Sequence, residues 1–211
     1  MAHALSSRPI PSFRNLILTV VAAWFLLALG GSVLGVFDSG PRPPIPLGLA
    51  AVIPIALFVS WYFSSARFRQ FVASLDLRVL TLAQTSRVVG IVFVLLYYRG
   101  ALPGVFALPA GWGDFAIGIT APIIAWYGKS RYASKVFVFW NVLGILDLVT
   151  AMTLGVLASA SPVGILAGDV STRLVGQFPL SLIPTFFVPL LLIMHLIALS
   201  RVRKEEDQTG S

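Results

Sequence analysis

Six stretches of 16 to 23 residues that are almost wholly apolar divide the sequence: Leu16–Phe37, Pro46–Phe63, Val79–Tyr98, Trp112–Tyr127, Val136–Ala158 and Phe178–Ser200. At 1.5 Å of rise per residue, helices of this length match a hydrocarbon core about 30 Å thick. In lipid the backbone must satisfy its own hydrogen bonds, which a helix does within one segment. The pattern therefore predicts an all-α integral membrane protein. Residues 1–200 form a single domain, a bundle of about six transmembrane helices.

The rest of the composition agrees. Apolar residues make up 57% of the chain and charged residues 11%, and the mean hydropathy is +0.91. That is too much apolar surface for a soluble domain to hide. The formal charge of +7 would suggest nucleic acid in a soluble protein. Here the basic residues flank the apolar segments, where they set orientation, and no nucleic-acid partner is expected. No cysteine is present, which excludes disulfides, thiolate metal sites and a cysteine nucleophile. The first apolar stretch, at 22 residues, exceeds a signal-peptide core of roughly 7–15, so it reads as a retained span.

The third span has a clean apolar run only over Val88–Tyr98. Extending it forward meets Pro103 and Gly104, which break helices. Extending it backward takes Arg87 and Gln84 into the membrane, and this is the preferred reading. Charge then orders the loops. Arg8, Arg14, Arg67, Arg69, Arg78, Lys129, Arg131, Lys135, Arg201, Arg203 and Lys204 fall on one side, against Arg42, Arg99 and Arg173 on the other. Such an asymmetry predicts that the first side, with both termini, is cytoplasmic in a plasma or inner membrane. Trp61, Tyr62, Trp126, Tyr127 and Trp140 would form an inner aromatic belt, and Tyr97, Tyr98 and Trp112 an outer one.

Between spans two and three, Phe68, Phe71, Val72, Leu75 and Val79 recur at helical spacing among arginines. Residues 66–78 are thus expected to form a cytoplasmic amphipathic interfacial helix. In the loop 159–177, Asp169 is a candidate N-cap for a short helix. Residues 201–211 read as a charged, disordered cytoplasmic tail. Gly31 and Gly35 offer spans one and two a close-packing face. Pro46-Leu47-Gly48-Leu49 resembles Pro179-Leu180-Ser181-Leu182, too short a match to define a repeat.

Ionisable groups at membrane depth are costly unless paired and by default mark function. Here they are Arg87, Asp114, Asp147 and His195, with Gln84 and Asn141 beside them. On ideal α-helices, Gln84, Arg87, Ile91, Val94 and Tyr98 share one face, and Asp114, Gly118, Ala121 and Ala125 another. Asn141, Gly144, Leu148, Ala151 and Gly155 line up with Asp147 on their edge, as do Ser181, Pro184, Val188, Leu191 and His195. Pro184 and Pro189 leave the carbonyls of Leu180 and Thr185 without helical donors. Counting residues places Arg87, Asn141 and His195 about 7–13 Å from the cytoplasmic edge. Asp147 falls near mid-membrane and Asp114 near the outer edge. The candidate ligand-binding set is Gln84, Arg87, Tyr98, Asp114, Asn141, Asp147 and His195, facing a polar cavity.

Bland readings stand beside this one. Arg87 could snorkel to an interface, and Asp114 could compensate a helix N-terminus. Asn141 could tie two helices together, and Asp147 with Arg87 could be a purely structural ion pair.

No catalytic residue is assigned. Gly-x-Ser-x-Gly, His-Glu-x-x-His and the nucleotide-binding Gly-x4-Gly-Lys are all missing from the sequence. With one histidine in the spans, bis-histidine haem is excluded. No intramembrane lysine serves a retinal Schiff base, and no cofactor or metal is expected. The leading expectation is small-molecule or ion binding and transport, with Asp147 as the titrating or cation-binding group. A non-catalytic accessory or assembly subunit is the alternative, and an intramembrane enzyme on a lipid or isoprenoid is the second. The expected partners are the bilayer, a small ligand or ion, and a second copy or another membrane subunit.

Overall fold

The computed structural model describes residues 11–126 and 135–209, with side chains from Phe13 to Trp126 and Lys135 to Val202. His3, Arg8, Tyr127, Lys129 and Arg131 lie outside the described residues. Helix α1 covers Pro11–Val33, α2 Ile45–Ser64 and α3 Ala66–Ser74. The third span runs from α4 (Leu77–Ala83) through a 3-10 segment, Gln84–Gly90, into α5 (Ile91–Tyr98). Helices α6 (Gly104–Trp126) and α7 (Lys135–Leu157) follow. A 3-10 turn at Thr172–Gly176 and a π-turn at Ile183–Phe187 lead into α8 (Val188–Thr209). Six of these units are long and apolar enough to cross a membrane, which marks the chain as a multi-pass membrane protein.

The loops at each end of the bundle touch one another. At the arginine-rich end, Arg201 Nη1 donates to the Leu75 carbonyl at 2.8 Å, and the Arg78 guanidinium lies over the Trp126 ring. At the other end, Arg173 of the long loop reaches Asp38 of the α1–α2 loop.

Several expectations change. The fourth span begins at Gly104, not Trp112. Pro103 and Gly104 initiate it: the Pro103 carbonyl accepts from Phe106 N and Ala107 N. Proline breaks a helix interior but is well tolerated before the first turn, where no helical donor is needed. The first span ends at Val33, and Gly35 sits in the following turn at φ +72° rather than in a packing face. Phe37 folds back so that its ring lies where a Gly31 side chain would be.

The amphipathic helix expected over 66–78 ends at Ser74, and Asp76 caps α4 by accepting from Arg78 N. Its apolar face, Phe68, Phe71 and Val72, packs on Phe13, Phe58 and Trp61 of α1 and α2. Ser171, not Asp169, caps the short helix at 172–176. The chain beyond Arg201 is helical to Thr209, not irregular. Trp140 belongs to no belt: it is buried, and its indole donates to Thr120 Oγ1 at 2.9 Å. The two carbonyls freed by proline find donors, Leu180 O from Ile183 N and Thr185 O from the Trp24 indole.

Candidate functional site

The third span reaches the site through its change of helix type. In α4 and the 3-10 segment, the buried positions are Leu77, Thr81, Gln84, Arg87 and Gly90, followed by Phe93 and Val94 in α5. From Thr81 to Phe93 the interval is three, because a 3-10 helix stacks residues i and i+3. Gln84 and Arg87 therefore stay on the inner face. Tyr98 does not: it is 75% exposed and takes no part in the site. An α-helical wheel put it on the Arg87 face because nothing in the sequence announces seven residues of tighter winding.

Arg87 is 3% exposed, so its side chain ends inside the bundle and does not reach out along its surface. Its guanidinium is held by three helices. Nε donates to Asp114 Oδ1 of α6 at 2.7 Å, and Nη2 donates to Asp147 Oδ2 of α7 in a very short contact. Nη1 donates to the Gly144 carbonyl of α7 at 3.2 Å and lies 3.3 Å from His195 Nε2 of α8. Asp114 is thus level with Arg87, ten residues inside α6, and compensates no helix terminus. The displaced start of that helix accounts for the difference from the expected depth, since ten residues amount to about 15 Å.

The donor inventory fixes the histidine. A guanidinium can only donate, so His195 Nε2 accepts, and Nδ1 carries the proton. Nδ1 donates to Asn141 Oδ1 at 2.8 Å, while Asn141 Nδ2 donates to the Phe137 carbonyl at 2.9 Å. Both ring nitrogens of His195 and both side-chain polar atoms of Asn141 thus have partners, and His195 is a neutral imidazole standing against the Trp140 ring. Gln84, 1% exposed, donates to the Leu191 carbonyl at 3.1 Å and leaves its own Oε1 without a partner.

Two glycines make room for the charges. A side chain at Gly113 would occupy the place of the Asp147 carboxylate, and one at Gly144 the place of the His195 ring. The structure gives each a charged or polar neighbour that needs its space.

Two carboxylates surround one guanidinium, so the fully ionised cluster carries a net charge of −1. In a low-dielectric interior an unbalanced charge is expensive, and a proton or a monovalent cation would neutralise it. Asp114 also lines a cavity that opens toward the arginine-poor end. Its walls are mainly apolar, including Phe93, Phe106, Leu148, Met152 and Val188. Water centres have about 70 Å³ available there, several times the 10–15 Å³ that one water requires. Asp147 is partly covered and is not among the residues lining that cavity.

The sequence family described as a domain of unknown function, DUF8737, matches residues 44–203, and the chain belongs to that family. The matched region contains all of Arg87, Asp114, Asn141, Asp147 and His195. No curated protein and no solved structure matches the chain.

Proposed function

We propose that this multi-pass membrane protein binds and carries a small molecule or ion, with the Arg87–Asp114–Asp147 cluster as its proton- or cation-binding group. One observation carries the reading: two carboxylates share one guanidinium, and one of them, Asp114, lines a cavity that reaches one end of the bundle. Asp147 is the group we assign to titration, Arg87 its fixed counter-ion. Asp114 ties the pair to the cavity, and His195, held as a neutral acceptor by Asn141, steadies the guanidinium. By the distribution of lysine and arginine, the arginine-rich end and both termini are assigned to the cytoplasm, and the cavity opens outward. The lipid-facing sides of α1 and α2 make the scaffold.

A second reading has its own support. Four of the five guanidinium N–H groups have partners in the contacts above, a closure that suits a permanent structural lock. In that case the chain would be an accessory or assembly subunit, whose cluster only joins helices.

Asp147→Asn separates the two. It leaves Arg87 and Asp114 as a one-to-one pair, so a transport cluster should lose its titration while the fold survives. Infrared difference spectroscopy in lipid nanodiscs should show a carboxyl band that changes with pH in the wild type and is missing in Asp147→Asn. Melting temperatures of the two should agree within a few degrees. A wild type with no titrating carboxyl, together with a variant that melts far below it, would leave only the structural lock. For orientation, reporters fused at Lys135 and Asp169 should report opposite sides of the membrane.

A further inference from the structure

The mouth of the cavity has its own chemistry. It lies between the α1–α2 loop, which contributes Ser39, Gly40 and Arg42, and the long loop, which contributes Thr172 and Arg173. The two arginines differ. Arg173 is bound to Asp38 through Nε and Nη2 at 3.0 and 3.3 Å, so its charge is already matched. Arg42 is exposed and has no side-chain partner among the described residues. Beside it in the cavity lining, Ser39 Oγ is shut off from solvent and also has no hydrogen-bond partner. A buried hydroxyl without a partner costs about 1–3 kcal/mol. At the rim of an apolar chamber, Arg42 thus has a charge that no described side chain matches, beside a Ser39 hydroxyl that has no partner.

The chamber runs beside one helix. It follows α7 from Leu148 to Val156, a rise of about 12 Å along the helix, and ends at Ser159. Apolar walls with a few convergent polar groups at one end describe a site for an amphiphile.

We propose that this cavity binds a single-chain amphiphile with an anionic headgroup, a carboxylate or a phosphate. The Arg42 guanidinium and the Ser39 hydroxyl hold the headgroup, and the chain runs inward past Phe106 and Leu148 toward Asp114. Charge-assisted hydrogen bonds from arginine suit both headgroups. The positive rim excludes a cationic head, and the apolar wall excludes a hydrophilic anion of comparable size. This rests on the cavity being the binding chamber of the transport reading and names the class of molecule it takes.

The chain has a further feature suited to a test. A side chain at Gly155, which lines the cavity, would meet only the Phe106 ring, at 3.6 and 3.8 Å. Gly155→Leu should therefore fill the chamber without disturbing the backbone. Wild type, Arg42→Gln and Gly155→Leu, all in nanodiscs of zwitterionic lipid, are titrated with five probes. These are dodecanoate, dodecyl phosphate, dodecylamine, dodecanol and inorganic phosphate, with binding read by native mass spectrometry and thermal shift. Both anionic amphiphiles should bind one to one and saturably. Arg42→Gln should weaken them at least tenfold, and Gly155→Leu should abolish them, while both variants melt as the wild type does.

Equal binding of the amine or the alcohol overturns the headgroup assignment. Binding of inorganic phosphate alone reduces the rim to a surface anion site and overturns the proposal. Binding unaffected by Gly155→Leu moves the chain out of the cavity and overturns it too. If the anions bind but no carboxyl titrates, the titration assigned to Asp147 fails and the amphiphile site stands. If the carboxyl titrates and no anion binds, the reverse holds.

Discussion

Two arginine–aspartate contacts hold distant parts of this chain together, and they differ in almost everything but chemistry. Arg87 joins three helices with its side chain wholly enclosed, whereas Arg173 joins two loops with 55% of its side chain in solvent. At the rim, water replaces whichever partner is removed, so the bridge adjusts two loops and little else. In the bundle the partners are enclosed by protein, and removing Arg87 strands two carboxylates without a counter-charge. Such pairs are weak sources of net stability but severe penalties when broken. The buried cluster joins helices, and the exposed bridge joins the two loops at the cavity mouth.

The sharpest way to break the comparison is Arg87→Leu. It leaves Asp114 and Asp147 facing each other with no cation, and should cost about 3–5 kcal/mol in unfolding measured in mixed micelles. Replacing Asp147 by Asn as well should recover part of that loss, and replacing Asp114 by Asn in addition should recover more. Recovery is the informative outcome. Losses that simply add across the series would mean that the three groups do not depend on one another.

The next effect is smaller and steric. Gly113→Ala and Gly144→Ala push a methyl group into the Asp147 carboxylate and the His195 ring respectively, and overpacking of this kind costs about 1–3 kcal/mol. Gly155→Ala, whose methyl would meet only the Phe106 ring at 3.6 Å, is the control and should melt with the wild type. A Gly113→Ala protein as stable as that control would show that Asp147 can leave its place freely, and that the cluster is looser than its geometry.

The same contrast explains what could be read in advance. The spans follow from hydropathy, since twenty apolar residues have few ways to satisfy their backbone in lipid. The inward faces of α6, α7 and α8 follow from helical spacing, and Asp114, Asn141 and His195 are buried on them as expected. The pairing of Arg87 with Asp147 was one of the readings open in the sequence. The depth of Asp114 was not legible, because Pro103 and Gly104 serve equally to stop a helix or to start one. Nor was the departure of Tyr98, which depends on how seven residues wind. The cavity mouth was invisible for a different reason: Ser39, Arg42 and Arg173 lie far apart in sequence, in loops without periodicity.

The smallest effect expected is at the rim, and pH gives it a direction. Asp38 accepts from Arg173, from Gln177 Nε2 at 3.0 Å and from Gly40 N at 3.1 Å. The Arg173 bond, aided by Gln177 and Gly40, outweighs the effect of partial burial and holds its carboxyl below the ordinary 3.8. A carboxyl depressed in the folded state stabilises that state above its unfolded pKa, and the contribution disappears as pH falls through the lower, folded value. Asp38→Asn should therefore lower the melting temperature slightly and equally from pH 5 to pH 8. The gap between variant and wild type should close below about pH 4, where the unfolded carboxyl begins to take up its proton. It should also narrow in 1 M salt, because the Debye length there is only about 3 Å and the bridge is exposed. The loss caused by Arg87→Leu should respond less to salt, since enclosed charges are screened less than an exposed pair. If salt moved both losses alike, the two sites would share one environment and the contrast between them would collapse.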